Sequence, residues 1–361
     1  MAEPATDLSP YDAVVLVSFG GPEGPDEVLP FLQQVTRGRN IPTERLREVG
    51  QHYDARGGIS PINDECRALL AALRTELDSR GVATPVLWGN RNSRPFLSDT
   101  MAEADAAGYR RLLAVTTSAY ESYSSCRQYR EDLARTVRPG LVVDRVRQYA
   151  THPGFVEANI AQVLAAMEEV GPRPRLVFVT HSIPTAMSES SGPAPRSSTG
   201  SYLDTHQLVA AAITRAVDEV TGEEHQYDLV FCSRSGPPQQ PWLEPDVNDH
   251  LDQLAAQGVT DVVLAPIGFT SDHMEVVHDL DTEAAETIRR LGLRCARAST
   301  ARTHPAFVGA LVDLALERAA LARGTQVRQP VIDGAAVSNI SCPGDCCVNL
   351  RHPDTPTLAG S

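Results

Sequence analysis

The sequence predicts an α/β protein of two lobes, each a four-stranded parallel sheet flanked by helices. Three observations carry that expectation. Apolar runs of strand length recur along the chain, segments of helical periodicity separate them, and the runs end in loops rich in Gly, Ser, His and Arg. Near-continuous apolar strands alternating with helices mark parallel sheets covered on both faces.

In chain order the runs are YDAVVLVSF, ATPVLWGN, RRLLAVTTSAY and LVVDRVRQY, followed by PRLVFVTHS, YDLVFCS, DVVLAPIGF and LRCARAST. Between the first two, PINDECRALLAALRTEL sets Ile62, Leu69, Leu70, Leu73 and Leu77 along one side of a helix. The strand–helix rhythm restarts at RPRLVFVTHSIP. The chain therefore divides into a first lobe over residues 1–148, a second over 149–304, and a final helix with a cysteine-bearing tail over 305–361. Near the end of the second lobe, FTSDHMEVVHDLDTEAAETIRR reads as one long helix. Ser271 or Asp272 would cap it, and the early acids Asp272 and Glu275 suit the positive end of its dipole.

Composition narrows the function. With 46 acidic and 32 basic residues the net charge is −14, which disfavours nucleic acid or an anionic membrane as partner. No apolar run approaches the roughly 20 residues of a membrane span, and the N-terminus does not read as a signal peptide. A cytoplasmic protein without stable membrane association is expected, and no heptad run announces an oligomer, so a monomer is expected too. Seven cysteines in such a chain favour metal or redox chemistry over a disulfide framework. No G-x-G-x-x-G follows the first strand and no P-loop occurs, so nucleotide dependence is not expected.

In open α/β sheets the ligand crevice lies outside the carboxyl ends of the strands. His181 follows RLVFVT directly, which puts an imidazole at such a strand end, and Pro184 stiffens its exit. Further on, Glu275, Asp279 and Glu283 recur at a spacing of four. Like charges so placed cost a helix about 0.2–0.5 kcal/mol per pair unless solvent or cations screen them. The ladder is a solvated face or a row of hard ligands for a hydrated divalent cation, with His273 and His278 as softer alternatives. The arginines of TRGRN (Arg37, Arg39), RNSR (Arg91, Arg94) and CRQYR (Arg127, Arg130) could receive carboxylates in bidentate fashion.

Taken together, SFGGP, HYDARGGISPIN, THSIP, SRSGPPQQPWLEPDV and PIGFTSDHMEVVHDLDTEA, in this order over nearly the whole chain, resemble the ferrochelatases, enzymes that insert Fe(II) into a porphyrin. The resemblance implies two Rossmann-like lobes with a porphyrin cleft between them and the last helix packed back on the first lobe. It implies His181 as base or metal ligand over the ring, Glu275 facing it, and Asp279 and Glu283 continuing a metal-carrying helix with a π-bulge. It further implies porphyrin contacts from Phe19, Arg37, Arg39, Tyr53, Ser60, Arg127 and Trp242. Phe19 is a departure: many relatives that use coproporphyrin carry a tyrosine there, and phenylalanine can stack on the ring but offers no oxygen to iron. The short polar stretch TRGRNIPTERLREVGQHYDARGGISP stands where animal relatives carry a hydrophobic lip, which points to coproporphyrin III as substrate. Protoporphyrin IX is the alternative, and a porphyrin-binding or iron-sulfur sensor without turnover is the reading from a different class.

SCPGDCC packs Cys342, Cys346 and Cys347 into seven positions. Three thiolates need a fourth ligand for a tetrahedral zinc or a four-cysteine iron-sulfur cluster. Cys66 and Cys295 sit in core-facing elements and Cys232 ends a strand at the cleft, so Cys126 in YSSCRQ is the best partner. Some ferrochelatases resemble this arrangement and hold a 2Fe-2S cluster with one such loop cysteine and three from a C-terminal extension. Zinc or a labile redox thiol cluster are the other readings of these residues.

Overall fold

The computed structural model describes residues 7–236 and 239–358. The apolar runs form β1 (Ala13–Ser18), β2 (Val86–Asn90), β3 (Arg111–Thr116), β4 (Val142–Arg145), β5 (Arg175–His181), β6 (Tyr227–Cys232), β7 (Asp261–Ala265) and β8 (Arg294–Arg297). They assort into two parallel four-stranded sheets with the orders β2-β1-β3-β4 and β6-β5-β7-β8. Each order reverses direction at one point, between β1 and β3 in the first sheet and between β5 and β7 in the second. Crevices open at such switch points. His181 ends β5, and Phe19, Cys126 and Glu275 lie in the segments that follow β1, β3 and β7, so the topology brings the residues singled out above to the same ends of the sheets.

Side chains alternate across each sheet, and the alternation sorts them into different cores. From β1, Val14 and Leu16 face Leu69, Leu73 and Leu77 of the helix Ile62–Ser79. Ala13, Val15 and Val17 face the opposite way, toward Met101, Leu112 and Leu133. In β5, Leu176 and Phe178 join the first of these cores, whereas Val177 and Val179 join a separate one with Leu251 and Leu254. One core therefore runs continuously under both sheets.

Two helices make that continuity, Pro153–Val170 and the final helix Pro305–Ala322. The final helix packs against both Pro153–Val170 and the first lobe's Ile62–Ser79, which is why Phe307, Leu311, Leu314 and Ala319, on several of its faces, are all buried. Buried ion pairs fix its register: Arg147 Nε lies 2.9 Å from Glu317 Oε1, and Arg318 Nη2 lies 3.0 Å from Asp144 Oδ1. Removing one partner of such a pair leaves an uncompensated charge and costs about 3–5 kcal/mol.

After β1 the chain turns through Gly20 at φ +81°, where an added Cβ would lie 2.5 Å from Ser93 Oγ and 2.9 Å from Asn90 Cβ. Only glycine fits both the left-handed backbone and the space. At Gly21 an added Cβ would meet the Ser60 side chain at 2.6 Å, so the glycine pair locks the SFGGP and GGISP loops together. Among the described residues, no helix is long and apolar enough to cross a membrane.

Candidate metal-binding cleft and cysteine quartet

β5 runs fully buried from Leu176 to Thr180 and surfaces at His181. The chain then leaves the sheet through Pro184, which forms an isolated bridge with Trp242, so the half-buried indole stands beside the His181 exit. The imidazole Nδ1 contacts the Ser182 carbonyl. A carbonyl only accepts, so Nδ1 carries a proton and Nε2 is the atom that faces the cleft. Nε2 lies 3.4 Å from Glu275 Oε2.

Glu275 arrives from the segment expected to be one long helix. It is three pieces, broken by the π-bulge that the resemblance implied: Met274–His278 in α form, a π-helical turn Asp279–Ala284, and Ala285–Leu291 in α form again. The expected caps are also displaced. Asp272 is captured by Arg297 at 3.0 Å and by Thr300 at 3.1 Å, so His273 takes the capping position in an extended conformation, without a side-chain bond to the helix. A guanidinium at the end of β8 offers the carboxylate a stronger bond than backbone N–H groups do.

Although the Glu275 side chain is partly open, desolvation by the surrounding protein would push its pKa up, but the hydrogen bond and charge of His181, with His273 adding, hold it at about 2. For His181, burial favours the neutral ring, and Glu275 outweighs it and raises its pKa. Glu275 thus sits between two imidazoles, with His273 Nδ1 4.0 Å away on its other side. Burial keeps His273 below the usual histidine value. Asp279 is pushed up to about 6 by burial, with repulsion from Glu275 and Glu283 adding and a hydrogen bond from Ser233 opposing.

Beyond Asp279, the ligand atoms of His278, Asp279 and Glu283 all lie within 4.8 Å of one another, and His278 Nε2 is 3.3 Å from Glu283 Oε1. The π turn achieves this crowding. The ring of His52, from the first lobe, stacks on His278 at 3.8 Å. His52 and Ser233 escaped the sequence reading because only the fold brings them to this helix; the signals were the place of Ser233 directly after β6 and of His52 in the helix that leads into the GGISP loop.

The expected porphyrin contacts divide. Phe19 packs edge-on to Phe31, with Arg91 over its ring at 5.6 Å. Tyr53 is buried against Phe31, and the charge of Glu275 adds to burial in raising its phenol. Phe31 and Tyr53 also share a small core with Met274, beside Glu275. Arg37 is exposed and bonds Gln34, while Arg39 is exposed at the end of the same loop. Ser60 is buried beneath Gly21. Arg127 goes elsewhere than expected. Its guanidinium is buried and donates to the tail carbonyls of Gly344, Cys346 (3.4 Å) and Pro353 (3.2 Å), besides pairing with Glu131 at 3.3 Å. A cation whose donors are consumed by backbone oxygens is a clamp on the tail, not a receiver for a ligand in the cleft.

That clamp serves the cysteines. Cys126 lies in a second π turn, Tyr123–Arg127, which Ser122 caps at 3.2 Å. The tail folds back onto this turn. Cys346 and Cys347 are buried, their sulfurs 3.9 Å apart, and the Cys126 thiol contacts Cys342 and Cys347. The four sulfurs form a closed ring of neighbours. Cys347 takes φ +53°, the local twist that lets two adjacent cysteines point inward. Hydrogen bonds from Cys126 and Cys346, with Arg145 nearby, push Cys342 far below a normal thiol, while Cys346 and Cys347 stay above it. Arg145 donates to Cys342 Sγ at 2.8 Å and Gly192 N–H to Cys347 Sγ at 3.2 Å. Donors aimed at sulfur stabilise thiolate, the form that binds metal. Cys66 is buried on its helix, Cys232 lies in the second-lobe core, and Cys295 packs against that core.

Fold and cleft together define a two-lobed α/β protein in which a histidine–carboxylate pair and a chain of acids line the space between switch points. The ferrochelatase family pattern matches residues 11–319, and the chain belongs to that family. A protein from Streptomyces coelicolor named coproporphyrin III ferrochelatase is 50% identical, over 98% of this chain and 97% of that one. A protein of the same name from Leifsonia xyli is 48% identical, over 100% of this chain and 97% of the other. Among solved structures, SirB from Bacillus subtilis with Fe3+ aligns at a TM-score of 0.51 with 14% identity, over 86% of this chain and 97% of that one. This last likeness is one of fold.

Proposed function

We propose that the chain is a coproporphyrin III ferrochelatase. It inserts its substrate Fe(II) into coproporphyrin III, and two pyrrole protons leave as the metal enters. The observation that carries this reading is the pairing of His181 Nε2 with Glu275 at 3.4 Å, continued by Asp279 and Glu283 along the π turn. The names of the Streptomyces and Leifsonia relatives supply the porphyrin.

A flat porphyrin hides its nitrogen lone pairs in the ring plane, so catalysis favours a bent macrocycle with iron delivered from one face. His181 holds one tautomer through Ser182 and presents Nε2 to the ring. That atom accepts a pyrrole proton or touches the iron only once the proton it shares with Glu275 has left. Asp279 and Glu283 pass hydrated iron inward, oxygen ligands suiting a cation that must move on. Phe19, Tyr53 and Trp242 bound the ring. The like charges of Arg351 and Arg91 lie near the exposed Arg39; a propionate relieves that crowding.

Cys126, Cys342, Cys346 and Cys347 hold a 2Fe-2S cluster, which four cysteine thiolates suit. When bound it supplies a one-electron couple remote from the porphyrin. Arg145 and Gly192 support its thiolates, and Arg127 holds the tail that carries three of them. The enzyme acts in the cytoplasm as a monomer.

The test is anaerobic Fe(II) insertion with coproporphyrin III and protoporphyrin IX side by side, parent against His181→Ala. Preference for coproporphyrin III and loss of turnover in the variant are expected. Preference for protoporphyrin IX overturns the substrate, and turnover of neither porphyrin overturns the enzyme.

A further inference from the structure

Beneath His181 lies a polar network that the proposed chemistry does not use. Tyr202, on the helix Gly200–Thr221, donates its hydroxyl to the His181 carbonyl at 2.8 Å. The directions of its neighbours follow from proton bookkeeping. His206 Nδ1 lies 2.7 Å from the Tyr202 carbonyl, which only accepts, so Nδ1 carries the proton. Burial holds His206 down at about 3, so the ring is neutral and its Nε2 accepts from Thr180 Oγ1 at 2.8 Å. The Thr180 proton is thereby committed; the Tyr202 hydroxyl lies 3.0 Å from Thr180 Oγ1 and 2.8 Å from the His181 carbonyl, and it donates along the shorter contact, to His181. Tyr120 stacks on His206 at 3.5 Å and 9°, and Gly268 approaches so closely that a Cβ there would lie 2.1 Å from Thr180 Oγ1. The network has no slack.

The other end of Tyr202 points to the cysteines. Its backbone N–H donates to Ser191 Oγ at 2.8 Å, and Ser191 Oγ in turn bonds the Ser188 carbonyl at 2.5 Å. The next residue, Gly192, donates its N–H to Cys347 Sγ at 3.2 Å. Arg196, four residues on, donates to the Gly192 carbonyl at 2.9 Å and also bonds the Asp345 carbonyl in the tail. Three contacts thus run from one sulfur of the quartet to the main chain of His181, through groups buried throughout.

We propose that Tyr202 is a positioning residue for His181, and that the Ser191–Gly192 turn ties this hold to Cys347. The inference rests on the assignment of His181 to the reaction. What the tail does to the Ser191–Gly192 turn is then felt at the imidazole. Such coupling needs a demonstrated energetic link, not only a path in space.

The decisive variant is Tyr202→Phe, which removes one hydroxyl and keeps the ring. Three readouts apply: the kcat and KM for Fe(II) and porphyrin, the melting temperature, and the His181 imidazole NMR signal, assigned by its loss in His181→Ala. Expected is a kcat lowered about two- to tenfold, the factor one ordinary hydrogen bond carries, with both KM values kept and the His181 signal moved. In a double-mutant cycle, Cys347→Ala moves the His181 signal in the parent and leaves it in place in Tyr202→Phe; if Cys347→Ala does not fold, Ser191→Ala takes its place. A parent-like kcat and His181 signal in Tyr202→Phe overturn the positioning role. Equal shifts from Cys347→Ala in both backgrounds overturn the tie. Parent-like turnover in His181→Ala overturns the assignment of the site instead.

Discussion

The cleft and the cysteine quartet both gather side chains that can bind metal, and they do so in opposite ways. In the cleft the side chains are of mixed hardness, charged and open: Glu275 keeps 55% of its side-chain surface and His181 31%. In the quartet Cys126, Cys346 and Cys347 are at most 4% exposed, all four ligands are soft sulfurs, and arginine and backbone N–H groups surround them. A site that releases its metal each cycle needs weak, hydrated, replaceable ligands, whereas one that retains it needs deprotonated thiolates shielded from water. The difference also shows in how charge is balanced. The cleft offsets Glu275 with imidazoles, which can gain or lose a proton, and the quartet offsets Cys342 with Arg145, which keeps its charge.

The largest expected effect that separates the two is His181→Ala. Turnover falls about 10²–10⁴-fold while the visible absorption of the purified protein is unchanged; joint loss of both would mean that the two regions are one unit. Next is Cys126→Ser, which removes the red-brown colour that dithionite bleaches and lowers the melting temperature by roughly 5 °C. Iron and sulfide analysis checks this, and a colourless parent containing zinc would break the cluster reading.

Smaller effects come from pH. Glu275 is held below its ordinary value of 4.5, so its pairing stabilises above that pH and fades as pH falls toward 2. His181 is raised above 6.5, so its share is full below that pH and fades as pH rises through its folded value. The stability lost in Glu275→Gln is therefore greatest between pH 4.5 and 6.5, at no more than about 1 kcal/mol because the pair is open to water. The acid limb of any remaining turnover moves to lower pH. Asp279 has the opposite sign: raised to about 6 from 3.8, its ionisation costs stability. Asp279→Asn is accordingly more stable than the parent above pH 6, by about 1–2 kcal/mol, and equal to it below pH 3.8, as urea unfolding at several pH values will test. Smallest is Arg37→Ala. An exposed arginine whose side chain bonds Gln34 changes the KM for coproporphyrin III less than twofold, against a larger rise for Arg39→Ala.

Much of this was legible in the chain. Strand-length runs such as AVVLVS and RLVFVTH are apolar on both faces, and parallel pairing under helices is the arrangement that buries both. His181 and Glu275 stood out because strand-end loops of such sheets surround the ligand. The long helix misled at its cap, because the capping reading could not know that Arg297 would claim Asp272. Periodicity alone does not register a π turn, since Asp279–Ala284 has the composition of ordinary helix, and there only the family resemblance implied the bulge. Arg127 misled for a related reason: its type suits a carboxylate, but whether backbone carbonyls reach it first depends on a tail more than two hundred residues away.

By itself the sequence determined the two sheets, the strand-end placement of His181 and the supply of metal-binding side chains, because these follow from local periodicity and residue chemistry. Only the tertiary structure decided which of them meet. The neighbours of Cys126, the stacking of His52 on His278, the bond of Ser233 to Asp279 and the hold of Tyr202 on His181 all join segments far apart in the chain. Such contacts are chosen by how the two lobes share one core, a property of the packed whole that no local pattern contains.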